Sequence, residues 1–273
     1  MRCAWEKLTA ILPRELSRQL DARDRESAQE IRLRLGAAPE IHLGSTRREL
    51  VGVVSQEELK YTLNLASKYS PWCADSLAQG YLTAPGGHRI GVCGEGIFRQ
   101  GQTEGFRSIR SLCVRVARDF PGVGEGLEGT STLIVGAPGW GKTTLLRDLA
   151  RRIAEQETVS VVDERGELFP EGFETGQHMD ILTGVPKPQG VEMVLKTMGP
   201  AYIAVDEITS EADSLVMLQA ANCGVHLLAT VHGSGLSDLR QRPMYRRLLE
   251  AGVFRQILVL NRDQSYQRER MTV

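Results

Sequence analysis

The 273-residue sequence has no apolar run approaching the ~20 residues that a membrane-spanning helix needs. It has no excess of charge either. Lys and Arg number 33 against 34 Asp and Glu, a formal net charge of −1, so no overall field draws in nucleic acid or anionic lipid. Aromatic residues make up only 5%, and no platform for stacking bases is evident. Of the five cysteines, Cys3, Cys73, Cys93, Cys113 and Cys223, none lies within metal-clip spacing of another. An odd, scattered set fits reduced thiols rather than a disulfide framework. The N-terminal stretch "MRCAWEKLTAILPREL" is charged and amphipathic and lacks the apolar core of a signal peptide. No internal repeat is found. These absences predict a cytoplasmic protein with no membrane span and no nucleic-acid partner.

What is present is enough to bury a sizeable core: 41% of residues are hydrophobic and 25% charged. Residues 1–118 read as a small α+β domain. "AQEIRLRLG" alternates, with Ile31, Leu33 and Leu35 on one face and Arg32 and Arg34 on the other, which is the pattern of a half-buried strand. Ser55 followed by Glu58 forms a capping box that opens an amphipathic helix. "GYLTAPGGHRIGVCGEGIF" reads as a hairpin about a Gly-Gly turn, and "SLCVRVA" as a strand. Residues 119–130 are glycine-rich and read as a linker. From 131 to 273 the pattern becomes strands alternating with helices. "STLIVG", "TVSVVD", "AYIAVDE", "HLLATVH" and "FRQILVL" are near-continuous apolar runs, as expected of a parallel sheet covered on both faces. The charged end "NRDQSYQRERMTV" reads as a last strand pair or a frayed tail.

"VGAPGWGKTTLLRD" follows the first of these strands and opens a helix. Gly136, Gly141, Lys142 and Thr143 satisfy the phosphate-loop pattern of glycine, four residues, glycine, lysine and threonine. Glycines let backbone N–H groups turn inward around a β-phosphate, and the helix N-terminus adds partial positive charge. The predicted nucleotide-binding set is Gly136, Ala137, Pro138, Gly139, Trp140, Gly141, Lys142, Thr143 and Thr144. Lys142 reaches the β- and γ-phosphates, and the Thr143 hydroxyl ligates Mg²⁺. Trp140 is bulky for its place, and its ring is expected to point outward.

"AYIAVDEIT" ends an apolar strand in Asp206, suited to hold Mg²⁺ with Thr143, and Glu207, suited to polarise the attacking water. This acid pair favours ATP chemistry. A GTPase should show Asn-Lys-x-Asp, and Asn261-Arg262-Asp263 has the wrong residues and spacing. Glu164, in "VVDERGE", sits at a strand's carboxyl end and is a candidate to orient water or Mg²⁺. His232, in "ATVHG", faces the γ-phosphate if its strand lies between the two motif strands, and Thr230 is placed similarly. His226 reads as structural.

Four stations, the phosphate loop, "VVDERGE", "VDEIT" and "ATVHG", together resemble the secretion-type ATPases. With "GYLTAPGGHRIGVCG", "LTGVPKPQGVEMVLKTMGP" and "RPMYRRLLEAGVFRQILVL", the stretch from Glu30 to Leu260 resembles the stage III sporulation protein AA family. The resemblance implies a RecA-like P-loop ATPase domain behind a smaller α+β domain. It also implies Mg²⁺-dependent ATP hydrolysis on the mother-cell side of a channel to the forespore. The protein would be peripheral to the membrane through membrane-anchored partners, and by analogy with secretion ATPases it would be a hexamer. Thr209, where the family is expected to have glycine, Trp140 in place of a small residue, and a short linker and tail depart from the pattern.

Hydrolysis also needs positive charge on the γ-oxygens. Arg147 is expected to face solvent from the helix behind the loop. Secretion ATPases use arginines of their N-terminal domain, so the resemblance favours Arg115 and Arg107, with Arg89, Arg110 and Arg165 as other sources. Two further classes stay open: a nucleic-acid motor, for which "RQRPMYRR" is the one basic cluster, and an ATP-binding adaptor with little turnover.

Overall fold

The computed structural model describes residues 3–44, 46–69, 74–99, 101–127 and 129–270. Cys73, Glu128 of the expected linker, Met1 and Arg2 of the N-terminal stretch and the last three residues of the tail lie outside the described residues. The chain divides into two units, Met1–Asp119 with Pro170–Phe173, and Phe120–Phe169 with Glu174–Val273. Among the described residues no helix is long and apolar enough to cross a membrane, and Cys3, Cys93, Cys113 and Cys223 are free thiols.

The first unit is α+β. Its six strands, β1 (Ala28–Arg34), β2 (Glu40–Leu43), β3 (Thr46–Glu49), β4 (Tyr81–Ala84), β5 (His88–Arg99) and β6 (Gln102–Arg115), form one antiparallel sheet in the order β3-β2-β1-β6-β5-β4. Alternation puts Ile31 and Leu33 on the core face with Ile41, Ile90, Leu112 and Val114, under helix α1 (Trp5–Ile11) and helix α4 (Gln56–Ala66). Leu35, expected on that face, is 44% exposed, because β1 ends at Arg34 and the chain turns at Gly36, φ +77°. The capping box of α4 forms as expected: the Ser55 hydroxyl accepts from the Glu58 N–H at 3.1 Å, and the Glu58 carboxylate accepts from the Ser55 N–H at 2.8 Å. Gly86 and Gly87, both at positive φ, turn the expected β4–β5 hairpin. "SLCVRVA" proves to be only the end of β6, which pairs with β5 along its whole length through three register shifts. Glycine is required on that path. A Cβ at Gly94 would lie 2.0 Å from the Ser108 carbonyl oxygen. Two short helices, α2 (Arg14–Ser17) and α3 (Ala22–Ser27), and α5 (Ala74–Ala78) complete the unit.

The second unit is built on seven strands, β7 (Thr132–Gly136), β8 (Val159–Asp163), β9 (Met179–Thr183), β10 (Tyr202–Val205), β11 (His226–His232), β12 (Gln256–Leu260) and β13 (Tyr266–Arg270). Their order is β13-β12-β7-β11-β10-β8-β9, parallel except for β13, which runs against β12. All five strands read from the sequence are present. Side chains of β7 alternate between two cores. Leu133 and Val135 pack with helices α7 (Lys187–Thr197), α8 (Glu211–Asn222) and α10 (Pro243–Glu250). Ile134 packs with α6 (Lys142–Ile153) on the other face. Full burial of one such side chain contributes roughly 1.5–3 kcal/mol. A short helix, α9 (Leu236–Gln241), follows β11. Strand β9 escaped the sequence reading because it is a largely exposed edge with no apolar run.

The helix behind the phosphate loop departs from expectation at Arg147, which is 6% exposed rather than facing solvent. Its guanidinium donates to the carbonyls of Glu167, at 2.9 Å, and Leu168. The chain after β8 crosses α6 there, and its buried carbonyls need donors. At the next residue, the Asp148 carboxylate accepts from the N–H groups of Gly122 and Gly124, at 3.0 and 2.8 Å, and pairs with Arg151 at 3.1 Å. The segment expected as a linker is therefore fastened to α6 at its glycine turns.

Candidate functional site

Strand β7 ends at Gly136, and α6 begins at Lys142. Between them the chain turns at Gly139, φ +79°, and at Gly141, φ +93°, the N-cap of α6. Side chains with a Cβ resist that conformation. The α6 N-terminus has no side-chain cap and no acid in its first turn. Its leading N–H groups therefore suit an anion, aided by the helix dipole. Lys142 is only 6% exposed. Its ammonium donates to the Ala137 carbonyl at 3.0 Å, folded back across the loop that Pro138 and Gly139 complete. Burial pushes the Lys142 pKa down, against the opposing pull of Asp206 and Glu207. Trp140 does not point outward as expected. Its ring is partly buried against the α6-side core and lies beside Gly136, 3.7 Å from the position of a Cβ built there.

The sheet order brings the other motifs to this loop. Strand β11 lies between β7 and β10, with His232 in register with Gly136. His232 Nδ1 is 2.9 Å from Lys142 Nζ, and His232 Nε2 is 2.9 Å from a Glu207 oxygen. An ammonium only donates, so Nδ1 accepts and Nε2 carries the proton toward Glu207. A second chain of bonds runs beside the first. The hydroxyls of Thr143 and Thr230 donate to the two oxygens of Asp206 at 2.8 and 2.6 Å. The Thr230 hydroxyl in turn accepts from the Glu207 N–H at 2.9 Å. That bond holds Glu207 at φ +55°, a conformation uncommon for residues other than glycine. Lys142, Thr143, Asp206, Glu207, Thr230 and His232 thus form one connected cluster at the carboxyl edge of the sheet, where open α/β sheets bind ligands. The hydroxyl of Thr143 and the carboxylate of Asp206 are hard oxygen donors, a set that fits Mg²⁺ completed by waters and phosphate oxygens.

Glu164 lines a cleft with Asp206 and Glu207 and pairs with Lys187 at 3.3 Å. Sequence reasoning missed Lys187, which stands between two prolines in "VPKPQG" and opens α7. Asp163, next to Glu164 and also lining the cleft, is engaged by the backbone. The buried carboxylate accepts from the N–H groups of Glu167, Leu168 and Phe169 at 3.0, 2.7 and 3.1 Å, tying the loop after β8. Burial raises its pKa, with those bonds opposing. Thr209, out of pattern, donates through its N–H and hydroxyl to Asp213, the third helical residue in the capping box that Ser210 opens on α8. His226 stacks on Tyr202 with ring centroids 4.9 Å apart. In the basic cluster, Arg242 pairs with Asp238 at 2.8 Å and donates to the His232 carbonyl at 3.0 Å.

Arg107 and Arg115 belong to the first unit, on β6. Both are exposed, and Arg107 pairs with Glu95 at 3.0 Å. Arg89 lies over the Tyr81 ring, 4.5 Å from its centroid.

Residues 4–270 match the family model for sporulation stage III, protein AA. Stage III sporulation protein AA of Bacillus subtilis (strain 168) is 34% identical over 254 residues, covering 86% of this chain and 82% of that one. An uncharacterized protein, ycf45, of Porphyra purpurea is 28% identical over 278 residues, 96% of this chain and 46% of that protein. Among solved structures, the Legionella pneumophila ATPase DotB superimposes with a TM-score of 0.64 at 18% identity, covering 94% of this chain and 79% of that one. The pilus retraction motor PilT with bound ADP gives 0.60 at 14% identity, covering 88% and 78%. At such identities the structural likeness establishes the fold, a RecA-like P-loop sheet preceded by a smaller α+β domain. With a matching family model over nearly its whole length and a Bacillus relative at this level of identity, the chain belongs to the stage III sporulation protein AA family.

Proposed function

We propose that the protein is a secretion-type ATPase that binds ATP and hydrolyses it to ADP and phosphate. The observation that carries this reading is the continuous set of bonds Lys142–His232–Glu207 and Thr143–Asp206–Thr230 at the mouth of an uncapped helix N-terminus. The loop N–H groups between Gly136 and Thr144, Pro138 aside, cradle the phosphates, and Lys142 swings from the Ala137 carbonyl to the β- and γ-oxygens. Thr143 and Asp206 would hold Mg²⁺, which neutralises charge on those oxygens when bound. Glu207 orients the attacking water and takes its proton. His232, held between Lys142 and Glu207, reports whether a γ-phosphate has displaced Lys142. Glu164 orients water or a Mg²⁺-bound water from the adjoining strand, with Lys187 holding its carboxylate.

Arg115 and Arg107 are the proposed source of the remaining positive charge, in a homo-oligomer of six copies. The proposed division is an N-terminal domain 1–118, a linker 119–130 and an ATPase domain 131–273. The proposed setting is cytoplasmic, on the mother-cell side, beside membrane-anchored partners of a channel to the forespore. The matching family supports that setting.

Turnover by purified Glu207→Gln should fall at least about 10²-fold, the scale of lost general-base catalysis, with ATP binding retained. Lys142→Ala should lose ATP binding. Turnover that survives Glu207→Gln rejects Glu207 as the base, and ATP binding that survives Lys142→Ala rejects the phosphate site. Turnover stimulated by DNA would select a nucleic-acid motor instead.

A further inference from the structure

A second cavity adjoins the phosphate loop on the side away from Asp206. It has a volume of about 230 Å³ and is lined by Phe120, Trp140, Thr144, Leu260, Gln264 and Tyr266, among others. We propose that it holds the purine base of the bound nucleotide, with Trp140 and Tyr266 against the ring faces and Gln264 selecting adenine over guanine. The proposal rests on the ATPase reading and extends it from the phosphates to the base.

Three observations converge. The first is direction. The Thr143 hydroxyl faces Asp206, which puts the reacting end of a triphosphate there. Thr144, about 100° further round the helix, lines the second cavity, as do Gly139 and Gly141 of the same loop. A triphosphate lying along the loop with its γ-phosphate at Asp206 and Glu207 directs its other end toward Thr144.

The second is shape and chemistry. Ligand sites for whole small molecules run to roughly 300–1,000 Å³. This cavity suits a planar fragment of one, and Phe120, Trp140 and Tyr266 give it aromatic walls. The loop pattern leaves the residue before Gly141 free, and here it is the partly buried Trp140, packed against the core that includes Leu260. Aromatic faces stack on bases whatever their sequence, so Trp140 and Tyr266 supply affinity and not selectivity.

The third is Gln264. It sits at φ +68° in the turn between β12 and β13. Gly or Asn adopts that backbone more readily, and a long amide held there at such a position points to use of its side chain. One amide carries a donor and an acceptor, which match the N6 donor and N7 acceptor of adenine. The O6 and N7 of guanine both accept and leave the Gln264 oxygen facing an acceptor.

Isothermal titration of the full chain with Mg-ATP, Mg-GTP and inorganic tripolyphosphate tests the proposal. The wild type should bind ATP about tenfold or more tightly than GTP, and more tightly than tripolyphosphate. Tyr266→Ala should lose roughly five- to a hundredfold in affinity for both nucleotides while binding tripolyphosphate as before, and Tyr266→Phe should restore most of the loss. Gln264→Asn, whose side chain tolerates the left-handed backbone but falls short of the base, should bring the ATP-to-GTP ratio close to one. Tripolyphosphate bound as tightly as ATP by the wild type, or wild-type ATP affinity and selectivity in both Tyr266→Ala and Gln264→Asn, overturns the base site and leaves the phosphate site standing. Failure of all three ligands to bind the wild type rejects the phosphate site and this proposal with it.

Discussion

Glu207 is held by its own N–H. The bond to the Thr230 hydroxyl fixes a left-handed backbone, and that conformation presents the carboxylate to His232. Thr230→Val keeps the side-chain shape and removes that acceptor. It should lower turnover about tenfold or more, with thermal stability reduced by roughly 1–3 kcal/mol for the unmet Glu207 N–H. Steady-state rates beside a thermal melt measure both. Lys142 gives a pH prediction. Burial lowers its pKa, and the charged form is the one that grips phosphate. Affinity for ATP should therefore fall as pH rises through that lowered pKa, earlier than an ordinary lysine near ~10.4 would allow. Titrations of ATP binding at fixed free Mg²⁺ between neutral and alkaline pH check the sign.

His88, in the first unit, works the other way. Its Nδ1 accepts from the Ala117 N–H at 3.1 Å and its Nε2 faces the Ala4 carbonyl at 3.0 Å, an arrangement of the neutral ring, and burial lowers its pKa. The folded state binds this proton less readily than the unfolded chain does. The stability His88 gives is present above about 6.5 and is lost as pH falls from there through the lowered value. Chemical denaturation of the full chain across that range should show this loss, and the non-titrating His88→Gln should flatten it. At this scale Lys142 and Thr143 could be named as candidates from the loop spacing, and Asp206 and Glu207 as acids at a strand's end, whereas His232 depended on the strand order. Lys187 could not be named, since a lone lysine among prolines carries no pattern. The Arg147 and Trp140 side chains could not be placed either, because what covers each of them comes from chain outside its own helix or loop.

At the scale of elements, the strands of the second unit were legible because burial on both faces makes them continuous apolar runs. Strand β9 and the outer half of β6 were not. Their pairing is carried by backbone, and their side chains are largely exposed or absent. Helix α7 was hidden by Pro188 and Gly190, which read as breakers in sequence. Pro188 is tolerated in the first turn, where its missing N–H would be unpaired in any case. Gly190 has a packing reason: a Cβ there would come within 2.5 Å of a Val162 methyl and 3.3 Å of Leu182. Gly190→Ala should therefore destabilise the second unit by about 1–3 kcal/mol through overpacking, despite alanine's better helix propensity. Equilibrium denaturation decides between these opposing effects, and a stabilised variant would show that α7 can move off the sheet.

For the whole molecule, the proposed assembly makes a kinetic statement. If Arg115 or Arg107 completes the site in an oligomer, ATPase rate per subunit should rise with protein concentration, and Arg115→Ala or Arg107→Ala should abolish the rise while sparing ATP binding. Loss of an arginine that stabilises the transferring phosphoryl group is worth ~10³–10⁵ in rate. The strand order has a consequence of its own. The phosphate loop leaves β7, the first strand of its sheet to be made, yet β7 is flanked by β11 and β12, which come late in the chain. During synthesis on the ribosome the loop must wait, one side of its strand bare, until Leu260 has emerged. A nascent chain stalled at Gly252 should accordingly be unable to retain ATP, and the growing chain passes through a protease-sensitive interval that closes only once β12 has been made.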